Sequence, residues 1–324
     1  VPVITFEGKE YHCEKGETVL ESLTKHGALI PSSCQSGVCQ TCITKAVKGI
    51  PPVESQQGLK DTLADQNYFL ACICKPEEDM ELSVADVAKQ KISATIVEKT
   101  MLNESVVRIR LQTEQPLDYI AGQFVNVMHP ETDVTRSYSL ASLPREDFLE
   151  LHVKRVPEGR VSGYFHDDAK LGDQLSLMGP AGDCFYTDRD LDQPLLLVGV
   201  GTGLAPLYGI LRDALVRGHR GEIHLFHASL ATPGLYYMDE LYALADENEQ
   251  VHYTPCVLHG DAPRDGEQGD LQQVLKKSKP DLKGWRVYVC GDPAIVNGLK
   301  QTCFMSGAKM TDIYSDPFVF DVTP

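Results

Sequence analysis

The sequence predicts a multidomain α+β and α/β protein in three parts, and three observations carry that prediction. Six of its ten cysteines fall before residue 75, which sets an N-terminal module apart from the rest. Residues 92–188 alternate apolar and polar positions with a period of two. From residue 193 onward, apolar strands alternate with helical stretches, the pattern of a doubly wound parallel sheet. A chain of 324 residues is long enough for two or three cores. The expected domains are 1–88, 92–188 and 189–324, with Lys89 and Lys91 punctuating a short linker.

Each part has its own local signals. Val3-Ile4-Thr5-Phe6 opens a strand, and Thr18 with Glu21 three residues later forms a capping box. Val19, Leu20 and Leu23 give the helix that follows an apolar face, and Gly27 ends it. In the second part Val107, Ile109 and Leu111 alternate with Arg108 and Arg110. Leu149, Leu151 and Val153 alternate likewise with Glu150 and His152. Turn residues at short intervals between such runs argue for an antiparallel barrel or sandwich. In the third part, strands are expected at 195–200, 222–227, 251–257, 285–290 and 310–315. Helices are expected near 204–217, 234–246, 270–278 and 293–306.

Charge and composition exclude several functions. At 42% hydrophobic and 23% charged residues the chain is too apolar to be disordered. The net charge of −16 divides into −6 over 1–86, +2 over 87–91, −6 over 92–188 and −6 over 189–324. With no basic stripe anywhere, neither nucleic acid nor an anionic membrane is an expected partner. The uncharged run 194–211 holds Gly199, Gly201, Gly203, Pro206 and Gly209, which suits a strand, a turn and a helix start rather than a membrane span. The opening residues show no signal peptide, so the expected compartment is the reducing cytoplasm, where ten cysteines point to metal ligation, catalysis or burial.

Cys34, Cys39 and Cys42 have the spacing C-x4-C-x2-C, and Cys72 follows after 29 intervening residues. Four thiolates around two irons, three of them from one tight loop with Ser33, Ser36 and Gly37, is the plant-type ferredoxin arrangement. The competing reading, a zinc-stapled loop, wants paired C-x2-C units, and this region holds one. Cys74 competes for the fourth position. The context Leu70-Ala71-Cys72 resembles the ferredoxin pattern, so Cys72 is assigned. Cys13, Cys74, Cys184, Cys256 and Cys303 read as small apolar filler.

Arg136-Ser137-Tyr138-Ser139 can supply a guanidinium fork for a pyrophosphate, a ring to lie against an isoalloxazine and a hydroxyl for the flavin N5 edge; alone, the run equally fits a solvent-facing arginine and a core tyrosine. Gly122-Gln123-Phe124 precedes it by one strand. Gly159-Arg160-Val161-Ser162 then feeds a helix start whose amides suit a phosphate. Together these look like the flavin domain of the ferredoxin–NADP reductase superfamily. That resemblance implies FAD contacts from Arg136, Ser137, Tyr138 and Ser139, an approach by the Val153 backbone, and pyrophosphate binding at Gly159, Val161 and Ser162.

The run 195–206 is a buried strand, a glycine turn and a helix start. It fails G-x-G-x-x-G at Leu204 but matches the G-x-G-x-x-P turn of the same superfamily with Gly201, Thr202, Gly203 and Pro206. Cys290-Gly291-Asp292-Pro293 puts another strand end before a helix, and in the family this element brings the cysteine to the nicotinamide. No Lys or Arg lies between Glu222 and Glu240 to meet a 2′-phosphate, which favours NADH over NADPH. By the same resemblance an aromatic of the tail, Phe318 or Phe320, packs on the flavin; Phe318 is the choice carried forward.

Taken over residues 1–324, the chain resembles the reductase components of bacterial multicomponent oxygenases of the benzoate dioxygenase and methane monooxygenase type. The resemblance implies a β-grasp ferredoxin, an antiparallel flavin-binding β-barrel and an NAD(P)H-binding α/β domain, in that order. It also implies hydride transfer from NADH to FAD beside Ser139 and Cys290, then electron transfer through a 2Fe–2S cluster to a terminal oxygenase of Rieske, di-iron or haem type. The oxygenase component is expected to dock at the acidic ferredoxin module. Two alternatives stand beside this: a reductase for sugar-nucleotide deoxygenation, and a free-flavin reductase with a zinc-stabilised interaction domain.

Overall fold

The computed structural model describes residues 2–28, 30, 37, 42–83, 91–132 and 134–318. It divides into two compact units, Val1–Lys89 and Gln90–Pro324.

The first unit is a mixed sheet wrapped on one helix. Its strands are β1 (Val3–Phe6), β2 (Lys9–His12), β3 (Ile43–Lys48), β4 (Tyr68–Leu70) and β5 (Met80–Ser83). They lie in the order β2-β1-β5-β3-β4, with β1 and β5 parallel and the other neighbours antiparallel. Helix α1 (Val19–Lys25) starts at the expected capping box: Glu21 N donates to Thr18 Oγ1 at 3.2 Å and Thr18 N donates to Glu21 Oε2 at 2.8 Å. Val19, Leu20 and Leu23 then bury their side chains against Ile4, Phe6, Phe69 and Met80. A short helix α2 (Asp61–Asp65) leads into β4.

The second unit begins with an antiparallel sheet of β6 (Lys91–Met101), β7 (Val106–Thr113), β8 (Phe124–Met128), β9 (Thr135–Ser139), β10 (Leu149–Lys154) and β11 (Gln174–Ala181). Its order is β10-β7-β6-β11-β8-β9, and an antiparallel bridge from Leu140 to Leu151 joins the two edges into a barrel. Val107, Ile109, Leu111, Leu151 and Val153 fill the interior, as the alternation requires. Helix α3 (Arg160–Gly163) runs on into a wider turn, Tyr164–Asp168. The outward positions Glu150 and His152 are nonetheless buried, because Tyr236 and Tyr237, from a connection of the following parallel sheet, cover that face of the barrel.

That following sheet is all parallel: β12 (Leu195–Val200), β13 (Ile223–Ser229), β14 (Val251–Val257), β15 (Glu267–Gln268), β16 (Arg286–Gly291) and β17 (Ile313–Pro317). The order β15-β14-β13-β12-β16-β17 places the chain reversal between β12 and β16, where such sheets open a ligand crevice. Helices α4 (Leu204–Val216), α5 (Met238–Glu247), α6 (Leu271–Ser278) and α7 (Pro293–Met305) connect the strands. Among the described residues no helix is long and apolar enough to cross a membrane.

Two expected elements begin late, for identifiable reasons. The helix expected from 234 starts at Met238, because Tyr237 takes a left-handed conformation (φ +56) and its hydroxyl is engaged with the barrel. The strand expected from 310 starts at Ile313, after a single tight turn over Met310–Asp312.

Candidate functional site

Cys34 and Cys39 lie outside the described residues. Cys42 and Cys72, both buried, flank the β3–β4 ladder: Ala71 N donates to Cys42 O at 3.1 Å, next to the Ile43–Leu70 pair. Gly37, which lies between the first two cysteines in sequence, has φ +78, and a Cβ added to it would lie 2.9 Å from Ile73 Cδ1, so Gly37 packs on the residue after Cys72. Two buried cysteines at the end of one strand pair fit soft thiolate donation to a cluster. Cys74 is fully buried in the α1 core, and its carbonyl accepts Val19 N at 2.8 Å.

On β9, Arg136 and Tyr138 alternate with Ser137 and Ser139. Arg136 Nη1 donates to Thr135 O at 2.8 Å, and the half-buried Tyr138 ring meets Phe165 edge-on at 5.7 Å. Ser137 is exposed and donates to Asn126 Oδ1 at 2.6 Å. The Val153 side chain is core, and its carbonyl receives His166 Nε2 at 3.0 Å. Val161 is likewise buried, and Ser162 Oγ donates to Gly159 O at 3.2 Å while receiving Val156 N at 3.3 Å. The turn at Gly159 has no room for a Cβ, which would fall 2.5 Å from Ser162 Oγ. What it offers a phosphate is therefore the open amides of the α3 first turn. Guanidinium, amides and a half-exposed ring together fit a flavin dinucleotide.

The crevice between β12 and β16 is built by two interlocking turns. Gly201 has φ +58, while Gly203 has ordinary helical angles and packs on the neighbouring strand end. A Cβ on Gly203 would sit 2.1 Å from Cys290 O, and one on Gly291 (φ +128) would sit 2.6 Å from Val200 O. Thr202 is buried, and Pro206 occupies the first turn of α4, where its missing N–H breaks no helical bond. This close-set glycine turn fits a dinucleotide pyrophosphate. Asp292 caps α7: its Oδ1 accepts Ala294 N at 2.9 Å and Ile295 N at 3.2 Å, with Pro293 as first helical residue. Phe318 N donates to Gly291 O at 2.8 Å, placing the half-buried Phe318 beside the crevice; Phe320 lies outside the described residues.

Ser139 and Cys290 are brought together by a residue that the sequence reasoning passed over. Ser139 Oγ donates to Asp316 Oδ2 at 2.6 Å, and Asp316 pairs in register with Cys290 across β16–β17. Burial pushes the Asp316 carboxyl above its ordinary range, against the Ser139 hydrogen bond that lowers it. Burial also raises the Cys290 thiol, beside which Cys184 Sγ lies at 3.8 Å. Asp316 lies two residues before Phe318, and nothing local in the sequence distinguishes it from a surface acid.

A second buried group joins the barrel to the parallel sheet. His152 Nδ1 lies 3.1 Å from Tyr236 Oη and Nε2 lies 3.0 Å from Glu150 Oε1. Burial holds His152 below its usual range, so the neutral ring donates from Nε2 to Glu150 and accepts from Tyr236. Tyr237 Oη also donates to Glu150 Oε1, at 2.9 Å, and receives Arg108 Nη1 at 2.9 Å. Arg110 bridges Glu150 and Glu98 at 2.8 and 2.9 Å, and Arg108 also pairs with Glu98. His227, fully buried at the end of β13, packs its ring on Tyr236 at 5.3 Å, and burial takes its pKa down to about 3.

Comparison with known proteins matches all three regions. Residues 4–77 match the 2Fe-2S iron-sulfur cluster binding domain, 93–186 the oxidoreductase FAD-binding domain and 197–301 the oxidoreductase NAD-binding domain. The chain is 33% identical to the reductase subunit of an aromatic O-demethylase from Amycolatopsis sp., covering 90% of this chain and 91% of that one. It is 30% identical to the ferredoxin–NAD(P)+ reductase component of a naphthalene 1,2-dioxygenase system from Pseudomonas putida, covering 94% of each. The crystal structure of an Amycolatopsis cytochrome P450 reductase superposes with a TM-score of 0.70 at 30% identity, over 98% of this chain and 99% of that one. The chain therefore belongs to the family of oxidoreductases that serve as reductase components of oxygenase systems, in which a 2Fe–2S domain is joined to FAD- and NAD-binding domains.

Proposed function

We propose that this protein takes electrons from NADH and delivers them singly to a terminal oxygenase component in the cytoplasm. The observation that carries the reading is the convergence of Ser139 from the barrel, Asp316 from β17 and Cys290 from β16 at the crevice where Gly201–Gly203 turns. When bound, FAD accepts the hydride of NADH and a 2Fe–2S centre handles single electrons.

The chain's own residues bind and orient. Amides at Gly201–Gly203 receive the coenzyme pyrophosphate, and the α3 amides with Arg136 receive that of FAD. Ser139, its proton directed at Asp316 Oδ2, keeps its Oγ lone pairs as acceptors, and the Cys290 thiol would meet the nicotinamide. Tyr138 and Phe318 give apolar faces to the ring system, and the buried surround excludes water. No acid–base residue is required, so positioning and electrostatics are the protein's contribution. Cys34, Cys39, Cys42 and Cys72 hold the cluster. The test is an anaerobic NADH titration of the holoprotein: flavin and iron–sulfur absorbance should both fall. Flavin bleaching with an unchanged iron–sulfur band would overturn the relay.

Three expectations follow from particular residues. Cys72→Ser should lose the cluster, about two irons per chain. Cys74→Ser, in the α1 core, should keep it; iron analysis of the two purified variants decides the fourth ligand. For coenzyme choice, the β13–α5 connection carries no cation, Ser229 Oγ is packed on Gly234, and Asp239 and Glu240 open α5. The kcat/KM for NADH should exceed that for NADPH by about tenfold or more, and Ser229→Arg should narrow the gap.

The third concerns the partner. Residues 1–86 carry −6, a denser charge than either later segment, which suits docking to a basic patch on the oxygenase. Electron delivery should slow about tenfold between roughly 20 mM and 300 mM salt as this attraction is screened. A flat profile would leave the acidity a matter of solubility.

A further inference from the structure

Cys184 reads in the sequence as filler, yet its placement is specific. It lies in the segment between β11 and β12, and its carbonyl oxygen is 2.5 Å from where a Cβ on Gly122 (φ +99) would stand. Gln123, itself buried, holds this segment to the barrel through Nε2, which donates to Gly182 O at 3.2 Å. The carbonyl of Gln123 accepts Leu140 N at 2.8 Å, directly after Ser139. Contacts thus run in a closed ring: Ser139 to Asp316, Asp316 to Cys290 in register, Cys290 Sγ to Cys184 Sγ, and back through Gly182 and Gln123 to Leu140. In that ring the sulfur–sulfur contact, at 3.8 Å, is the step that reaches the Cys290 side chain from the barrel.

We propose that Cys184 is a positioning residue for hydride transfer, its sulfur backing the Cys290 side chain and fixing where that thiol meets the nicotinamide. The inference rests on the reading that Cys290 touches the coenzyme. A cysteine side chain has three staggered positions about χ1. Cys184 Sγ stands in van der Waals contact with Cys290 Sγ at 3.8 Å and so limits its turn towards the barrel. Cys184 touches no substrate atom; it acts through its neighbour. Displacing a positioning contact by a fraction of a bond length is enough to slow a reaction that depends on near-attack geometry.

The test uses FAD- and cluster-loaded protein, with ferricyanide as the one-electron acceptor. Cys184→Ala should lower kcat about tenfold with KM for NADH within about twofold. The deuterium isotope effect on kcat with 4-deuterated NADH should rise, since hydride transfer becomes slower than the other steps. Cys184→Ser, which keeps a γ atom, should recover most of the rate. The Cys184→Ala/Cys290→Ala pair should be no slower than Cys290→Ala alone. Independently of activity, the Cys290 signal of 13Cβ-cysteine-labelled protein should shift in Cys184→Ala while that of Cys13 stays in place. If the alanine variant does not fold, Cys184→Val, whose extra methyl presses on Cys290, should move both the isotope effect and the Cys290 signal. Wild-type kcat, isotope effect and Cys290 signal in the folded variant, or losses that simply add in the double variant, would overturn the proposal. A slow Cys290→Ala beside a fast Cys184→Ala defeats the role of Cys184 alone. A fast Cys290→Ala defeats the underlying reading of Cys290 as well.

Discussion

Alanine at position 203 will stop NADH oxidation while FAD and iron remain bound. Gly203 has φ −58 and ψ −14, angles any residue adopts, so conformation is no obstacle to the change. Space is. The added carbon would fall 2.1 Å from Cys290 O, 2.5 Å from Cys290 C and 2.9 Å from Gly291 N. All three are backbone atoms at the end of a buried strand paired to β12 through Gly199 and Cys290, so relief requires the two central strands to part. That gap is the proposed coenzyme crevice, and kcat/KM for NADH should fall at least about 100-fold. Gly201→Ala is the matched control. Its site is open, with nothing within 4 Å of the added carbon, and its φ of +58 costs only about 1–2 kcal/mol. It should lose less than about tenfold. Near-normal NADH turnover by Gly203→Ala would show that the two turns do not interlock as described.

Glu150→Ala should cost about 3–5 kcal/mol of stability, read as a lowered urea midpoint. The carboxylate is 2% exposed and receives Arg110 Nε, Tyr237 Oη and His152 Nε2. Its removal leaves the Tyr237 and His152 donors without that acceptor and Arg110 with Glu98, which it shares with Arg108, as its carboxylate partner. Glu150→Gln retains an acceptor oxygen and should lose less. Burial alone would raise the Glu150 pKa, but the hydrogen bond from His152 and the pairing with Arg110 prevail and hold it at about 2. A carboxyl depressed on folding contributes its full stability above the unfolded carboxyl range, and that contribution drains away as pH falls towards 2. Wild-type stability should therefore drop between about pH 5 and pH 2 more steeply than that of Glu150→Gln. Superimposable acid limbs for the two proteins would refute the assignment.

Much of the fold was legible because its signals are local. The capping box at Thr18, the alternation around Ile109 and the strand–turn–helix at 195–206 each declare themselves within a dozen residues. The C-x4-C-x2-C spacing and the glycine turn were readable for the same reason, since each lies within one stretch of chain. Asp316, Cys184 and the Glu150–His152 group were not. The partner of Asp316 is 177 positions away in sequence, and that of Cys184 is 106 away. Glu150 and His152 occupy the outward positions of a strand, and the distant tyrosines at 236 and 237 turn that face into an interior. Asp292 is readable too, since its carboxylate caps α7 directly before Pro293 in the same short run.

The Arg108–Glu150–Tyr237 group also bears on how this chain tolerates recombination. Its members come from β6, β7 and β10 on one side and from the loop before α5 on the other. A chimera that imports a foreign nicotinamide module beginning at β12 keeps Arg108, Arg110, Glu150 and His152 but discards the tyrosines that complete them. Two charged pairs would then face unmatched surface. A crossover between the units Val1–Lys89 and Gln90–Pro324 leaves the group whole. Module exchange in the laboratory should therefore succeed at that boundary. Near residue 190 it should fail unless both halves of the lock travel together.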